Sequence, residues 1–115
     1  MIDYNKPTAM MLGRWQPWHD GHQMLFEKSL EKTGQVIVMV RDTPREDSNP
    51  FSFYEVKTRI EKALSKFEGK FEVIKVPNIT NICYGRGVGY KIEEIVLPKQ
   101  IQDISATKIR NKINT

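Results

Sequence analysis

Thr8-Ala9-Met10-Met11-Leu12-Gly13-Arg14-Trp15-Gln16-Pro17-Trp18-His19-Asp20-Gly21-His22 is the stretch that decides the fold. Its first five residues form an apolar run ending at a glycine, which reads as a buried first strand. Its last four place two imidazoles either side of Gly21, at the mouth of a helix. Met24, Leu25, Glu27 and Lys28 are strong helix formers, and Gly34 supplies the stop.

Working outward, residues 36–40 are an uninterrupted β-branched and apolar stretch, a second buried strand. Residues 41–50 are polar and twice broken by proline, so they read as the longest loop. Ser52-Phe53-Tyr54-Glu55 has the form of a capping box, and Val56, Ile60, Ala63, Leu64 and Phe67 follow at helical spacing. Residues 71–76 give a third strand closed by Pro77, and residues 82–84 a short fourth. After Gly85-Arg86-Gly87-Val88-Gly89 and a helical turn near Lys91 and Ile92, residues 95–97 give a fifth strand, stopped by Pro98. A last helix is expected to start near Ser105. Strands alternating with helices predict an α/β domain over residues 1–115, with a parallel five-stranded sheet flanked on both faces. Ligands of such sheets sit beyond the carboxyl ends of the strands, which is where the histidines fall.

The bulk numbers narrow the class. At 115 residues, 39% apolar and 28% charged, the chain is an ordinary globular domain. A net charge of +4 suits small polyanions and is too weak to argue for nucleic acid. Cys83 is the single cysteine, which excludes an internal disulfide and fits the cytoplasm; a buried structural thiol is expected. No apolar run is long enough to span a membrane, and no basic-then-apolar signal pattern opens the chain.

A second stretch, Ile104-Ser105-Ala106-Thr107-Lys108-Ile109-Arg110, sets two hydroxyls, a lysine and an arginine at a helix start. Both stretches are suited to gripping polyphosphate. Gly21 lets the backbone approach a phosphate, and the following helix directs amides at it. His19 and His22 have donors for phosphoryl oxygens that gain charge in a transition state. Ser105, Thr107 and the forked guanidinium of Arg110 suit the β- and γ-phosphates. Attack of an oxygen nucleophile on an α-phosphorus needs positioning and charge stabilisation, and no nucleophile from the protein. No third ligand stands beside the two imidazoles, so no metal site is read from them.

The two stretches together resemble the signature of the nucleotidylyltransferase superfamily, a His-x-Gly-His loop after the first strand and a late Ile-Ser-x-Thr-x-x-Arg helix start. The resemblance implies a three-layer Rossmann-like nucleotide-binding fold and transfer of a nucleoside monophosphate from NTP to a small phosphorylated or phosphonate acceptor. It makes His19, His22 and Arg110 the catalytic set and Ser105 and Thr107 phosphate ligands. Mg²⁺ would arrive with the nucleotide, touched at most through water by Asp20 or Asp42. Gly13-Arg14-Trp15-Gln16-Pro17-Trp18-His19 is similar to the Gly-Arg-Phe-Gln-Pro-Phe-His of archaeal-type nicotinamide mononucleotide adenylyltransferases, which adds Gly13, Arg14, Trp15 and Gly21 to the nucleotide side. Asn49-Pro50-Phe51 is similar to those enzymes too. The short chain is closer to the glycerol-3-phosphate cytidylyltransferases, so ATP is only slightly favoured over CTP. Small relatives pair as dimers, which extends a homodimer to this chain as an option.

Gly85-Arg86-Gly87 resembles a loop that carries an acid where Gly87 stands, leaving Arg86 as a phosphate or second-substrate ligand. Arg41 and Arg45, on the loop beside a strand end, are the candidates for an acceptor phosphate, whereas Lys57 and Arg59 are expected to face solvent. Trp15 and Trp18 also have a packing role open to them. The short C-terminus and Gly87 motivate one rival from another class, a nucleotide-binding module without catalysis.

Overall fold

The computed structural model describes residues 1–87 and 89–102. Strand β1, Ala9–Gly13, leads through a loop to helix α1, Asp20–Thr33, then to β2, Val36–Arg41. Helix α2, Phe53–Ala63, is followed by a 3-10 turn, Ser65–Phe67, and by β3, Phe71–Val76. A four-residue helix α3, Lys99–Gln102, ends the described chain.

The three strands are parallel and ordered β1-β2-β3. Their register places Met11, Val38 and Val73 in one row and Ala9, Val36 and Phe71 in the next. These rows share a face, because side chains alternate along a strand. Phe26 of α1 and Val56 and Ile60 of α2 bury against them in a single core with Leu64. Both helices therefore lie on the face that Val36, Val38 and Val40 present, as expected of two right-handed crossovers running in one direction.

The ends of each helix are written in the sequence. Gly34 takes φ +87°, and its amide donates to the Leu30 carbonyl at 2.7 Å, closing α1 with the left-handed residue that glycine adopts without steric cost. At the start of α2, Ser52 Oγ accepts from the Glu55 amide at 3.3 Å and Glu55 Oε1 accepts from the Ser52 amide at 3.2 Å. That is the reciprocal pair which the Ser-x-x-Glu spacing predicts.

Four expectations are corrected. The sheet has three strands among the described residues, not five: residues 82–84 and 95–97 pair with no strand. The three-residue apolar runs between Pro77, Gly85, Gly89 and Pro98 sit at the lower limit of strand length and here find no neighbour to pair with. Ile82 is left 58% and Val96 75% exposed. The helical turn near Lys91 is absent as well, and Cys83 is exposed rather than buried. The layering is also simpler. Met10, Leu12, Ile37, Met39 and Ile74, on the opposite sheet face, stay partly or fully accessible, so the described residues form two layers rather than three.

Candidate active site

The histidine loop is built by a capping box made of two imidazoles. His19 is the N-cap of α1, in extended conformation, and its Nδ1 accepts from the Gly21 amide at 3.0 Å. His22 reaches back, and its Nδ1 accepts from the His19 amide at 3.2 Å. A neutral imidazole has one donor and one acceptor nitrogen. With both Nδ1 atoms accepting, both protons sit on Nε2. The cap thus fixes two N–H donors at the N-terminal end of a helix whose dipole already favours an anion. The Gly21 amide is taken by His19. The donor role passes outward from amide to ring.

Two glycines make room for this. A Cβ on Gly21 would lie 2.8 Å from His19 Cε1, and one on Gly13 would lie 2.8 Å from Trp15 Cζ2. Each glycine has an aromatic ring folded onto its own backbone. Trp15 takes φ +54°, which few residues other than glycine adopt. It is held there by burial to 6% exposure and by its indole N–H, which donates to the Met39 carbonyl of β2 at 3.0 Å. That ring serves the packing role: it meets His22 edge-on at 4.7 Å between centroids, and Trp18 closes a second side at 5.5 Å. The Trp18 indole is itself pinned, donating to Gln23 Oε1 at 3.0 Å.

The electrostatics follow from this enclosure. Burial among the rings, with His19 as a second cause, lowers the His22 pKa to about 3. His19 is also lowered, chiefly by burial, with the Asp20 carboxylate pulling the other way. Both rings are neutral near pH 7, so they donate hydrogen bonds without carrying charge.

A second cavity, about 240 Å³, opens at the same end of the sheet, over the carboxyl ends of β2 and β3. Arg41, Arg45 and Lys75 bring three cations to it, and Phe53 and Tyr54 add aromatic walls. Arg41 is anchored by donation to Asn78 Oδ1 at 2.9 Å, while its buried Nε has no hydrogen-bond partner among the described residues. An unpaired buried donor is unfavourable until something accepts from it. Lys75 is 3.5 Å from Asp42 Oδ2 across the mouth. Sequence reading found Arg41 and Arg45; it missed Lys75, whose place beside them depends on the pairing of Lys75 with Val40 in the sheet.

The remaining candidates divide. Arg14 is exposed and donates to Asn49 Oδ1 at 3.2 Å. Arg86 lies on an exposed loop whose backbone carbonyl takes the Tyr90 hydroxyl at 3.0 Å. Ser105, Thr107 and Arg110 lie outside the described residues. Helix α3 packs on α1, and the Ile101 carbonyl comes to 3.6 Å from a Cβ placed on Gly21. Among the described residues no group of three or more His, Cys, Asp or Glu side chains gathers around a metal position. A larger open groove, about 770 Å³, runs along the free edge of β1 at residues 7–10, the amino end of that strand and so away from the carboxyl ends of the sheet.

Comparison with known proteins points the same way as the geometry. No protein-family model matches the chain. It is 30% identical over 73 residues to the nicotinamide-nucleotide adenylyltransferase of Methanococcus aeolicus, covering 62% of this chain and 42% of that protein. The enzyme of the same name from Methanosphaerula palustris is also 30% identical over 73 residues, with 44% of it covered. The chain thus spans less than half the length of the curated relatives it matches. Among solved structures, a bifunctional NMN adenylyltransferase/ADP ribose pyrophosphatase from Francisella tularensis, complexed with AMP and a manganese ion, aligns with TM-score 0.50 and 31% identity. That match covers 63% of this chain and 22% of the other. NadR protein in complex with NAD and AMP-PNP aligns with TM-score 0.56 over 72% of this chain and 24% of its own; at 16% identity that likeness concerns the fold alone. The chain has a Rossmann-like α/β fold with a parallel sheet, and in sequence and fold it resembles the nucleotidylyltransferase superfamily.

Proposed function

We propose that this chain is an adenylyltransferase: it moves AMP from ATP to a small phosphorylated acceptor, of the nicotinamide mononucleotide kind, and releases pyrophosphate. The observation that carries the reading is the two-histidine cap, which leaves two neutral Nε2–H donors side by side at a helix N-terminus. The names of the relatives give the reaction its class.

The step balances without a protein nucleophile. An acceptor phosphate oxygen forms a bond to the α-phosphorus as the bond to the β-phosphate bridging oxygen breaks. That oxygen leaves with the electron pair as pyrophosphate. Negative charge grows on the α-phosphoryl oxygens, where His19 and His22 donate. A divalent cation, Mg²⁺ in this reading, enters as part of the nucleotide substrate and offsets charge on the triphosphate. Gly21 and Gly13 serve by seating the rings, and Trp15 by holding His22. Arg14 and Arg86 are assigned to the nucleotide phosphates. Ser105, Thr107 and Arg110 are assigned on sequence alone to the β- and γ-phosphates, with Arg110 in the catalytic set. Arg41 and Arg45 take the acceptor phosphate, with Lys75 beside them: three cations against the one carboxylate of Asp42 leave a net positive charge around a small cavity, which favours a doubly charged group.

Calorimetric titration with ATP and with CTP, each with Mg²⁺, tests the nucleotide. Tighter binding of ATP supports the reading. Tighter binding of CTP makes the chain a cytidylyltransferase, and binding of neither removes the polyphosphate site. Binding of ATP without turnover on any phosphorylated acceptor would leave a nucleotide-binding module.

A further inference from the structure

The loop that carries the histidines is tied to the acceptor cavity through the side chain of Gln16. Gln16 is 5% exposed, and its carboxamide pairs with the backbone of Phe51 as a second peptide group would. Its Nε2 donates to the Phe51 carbonyl at 3.1 Å, and its Oε1 accepts from the Phe51 amide at 2.9 Å. A parallel tie runs one step away, where Arg14 donates to Oδ1 of Asn49, itself 4% exposed and held by Glu46 and Ser48. Phe51 and Gln16 both line the acceptor cavity. Gln16 also stands in sequence between Trp15, which meets His22 edge-on, and the Pro17-Trp18 segment, whose indole packs against both Trp15 and the same imidazole.

We infer that Gln16 is a positioning residue: it couples the acceptor cavity to the histidine pair, so that the wall contacted by the acceptor and the rings that meet the α-phosphate move as one body. This rests on the reading above of which cavity takes the acceptor. The chemistry of the tie explains the residue type. Only a primary amide offers a donor and an acceptor, side by side, to a peptide N–H and C=O. A carboxylate at the same place sets two acceptors against the Phe51 carbonyl and keeps only one of the two bonds. Protonation of that acid restores the donor.

The test compares Gln16→Glu with the unchanged chain in ATP and nicotinamide mononucleotide turnover from pH 8 to pH 5.5. A loss of positioning costs on the order of 100-fold in kcat. The account expects that loss at pH 8, with nucleotide affinity changed less than about threefold, and a variant-to-unchanged ratio that recovers as pH falls. A purely structural role predicts a ratio that does not recover with acid, and that result overturns the inference, as does an unchanged kcat at pH 8. The second measurement is independent of turnover: hydrogen exchange of the Gly21 amide, which is protected by His19. Faster exchange in Gln16→Glu at pH 8 supports the tie even if the unchanged chain transfers nothing to this acceptor, in which case the functional reading fails and the coupling stands. Equal exchange in both proteins contradicts it.

Discussion

The rings of His19 and His22 lie stacked, 3.6 Å between centroids and 19° from parallel. Like-charged rings would not hold that arrangement, and each Nδ1 must stay unprotonated to keep its cap bond. The stack, the cap and the tautomer are therefore one feature. It turns the N-terminus of α1 into a pair of aimed donors, and the predictions below come from disturbing its parts.

Acid should undo it. The His22 pKa is about 3 in the folded chain against 6.5 when free, and His19 is shifted the same way. Between those values the unfolded chain binds protons that the folded chain does not, so stability rises with pH across the window. Full stability is present above about pH 6.5 and is lost progressively as pH falls toward 3. Urea midpoints at pH 7.5 and pH 5 should show the drop, and His22→Asn should reduce its size.

Gly21→Ala reverses a usual rule. Alanine in a helix is favoured over glycine by about 1 kcal/mol. Here the added methyl would meet the His19 ring at 2.8 Å, and that ring is bonded to the same residue's amide. The variant should therefore melt lower than the unchanged chain and lose turnover. Thermal unfolding and an initial-rate assay check both.

Trp15→Phe keeps a ring but removes the indole N–H that donates to the Met39 carbonyl. Loss of that bond leaves a strand carbonyl short of a partner and costs about 1 kcal/mol. The positive φ at position 15 loses one of its two restraints. Denaturant titration should show the loss, with Trp18 as the remaining fluorophore.

Replacing the cations of the acceptor cavity should separate binding of the two substrates. Arg41→Ala and Lys75→Ala each remove a donor that would be charge-assisted, with a loss on the order of 2 kcal/mol, or roughly 30-fold. That loss should fall on KM for the acceptor and leave nucleotide affinity within about threefold. Steady-state kinetics with each substrate varied in turn distinguishes this from a general loss of fold.

Much of this was legible in the sequence, for local reasons. Gly34 and the Ser52-Glu55 spacing mark helix ends because caps are made within a few residues, and the strand over residues 71–76 falls where its apolar run lies. The histidine loop was legible as a candidate phosphate site but not as a cap built from its own rings. That depends on Gly21 and Gly13 each making way for an aromatic, a three-dimensional fit that no spacing announces. Lys75 was not found, and Gln16 and Asn49 stood in the quoted stretches without a role, because those roles come from register and from contacts across 35 residues of chain. The fourth and fifth strands were read from apolar runs alone, and apolar character does not supply a ladder partner.

The most direct test of the account is pyrophosphate release from ATP in the presence of nicotinamide mononucleotide and Mg²⁺, measured for the unchanged chain and for His22→Ala beside their ATP dissociation constants. The account predicts acceptor-dependent release that falls by about 100- to 1,000-fold in the variant, with ATP affinity nearly unchanged. Equal losses in rate and in affinity, or release in the variant at the rate of the unchanged chain, would contradict the claim that these rings act on the transition state.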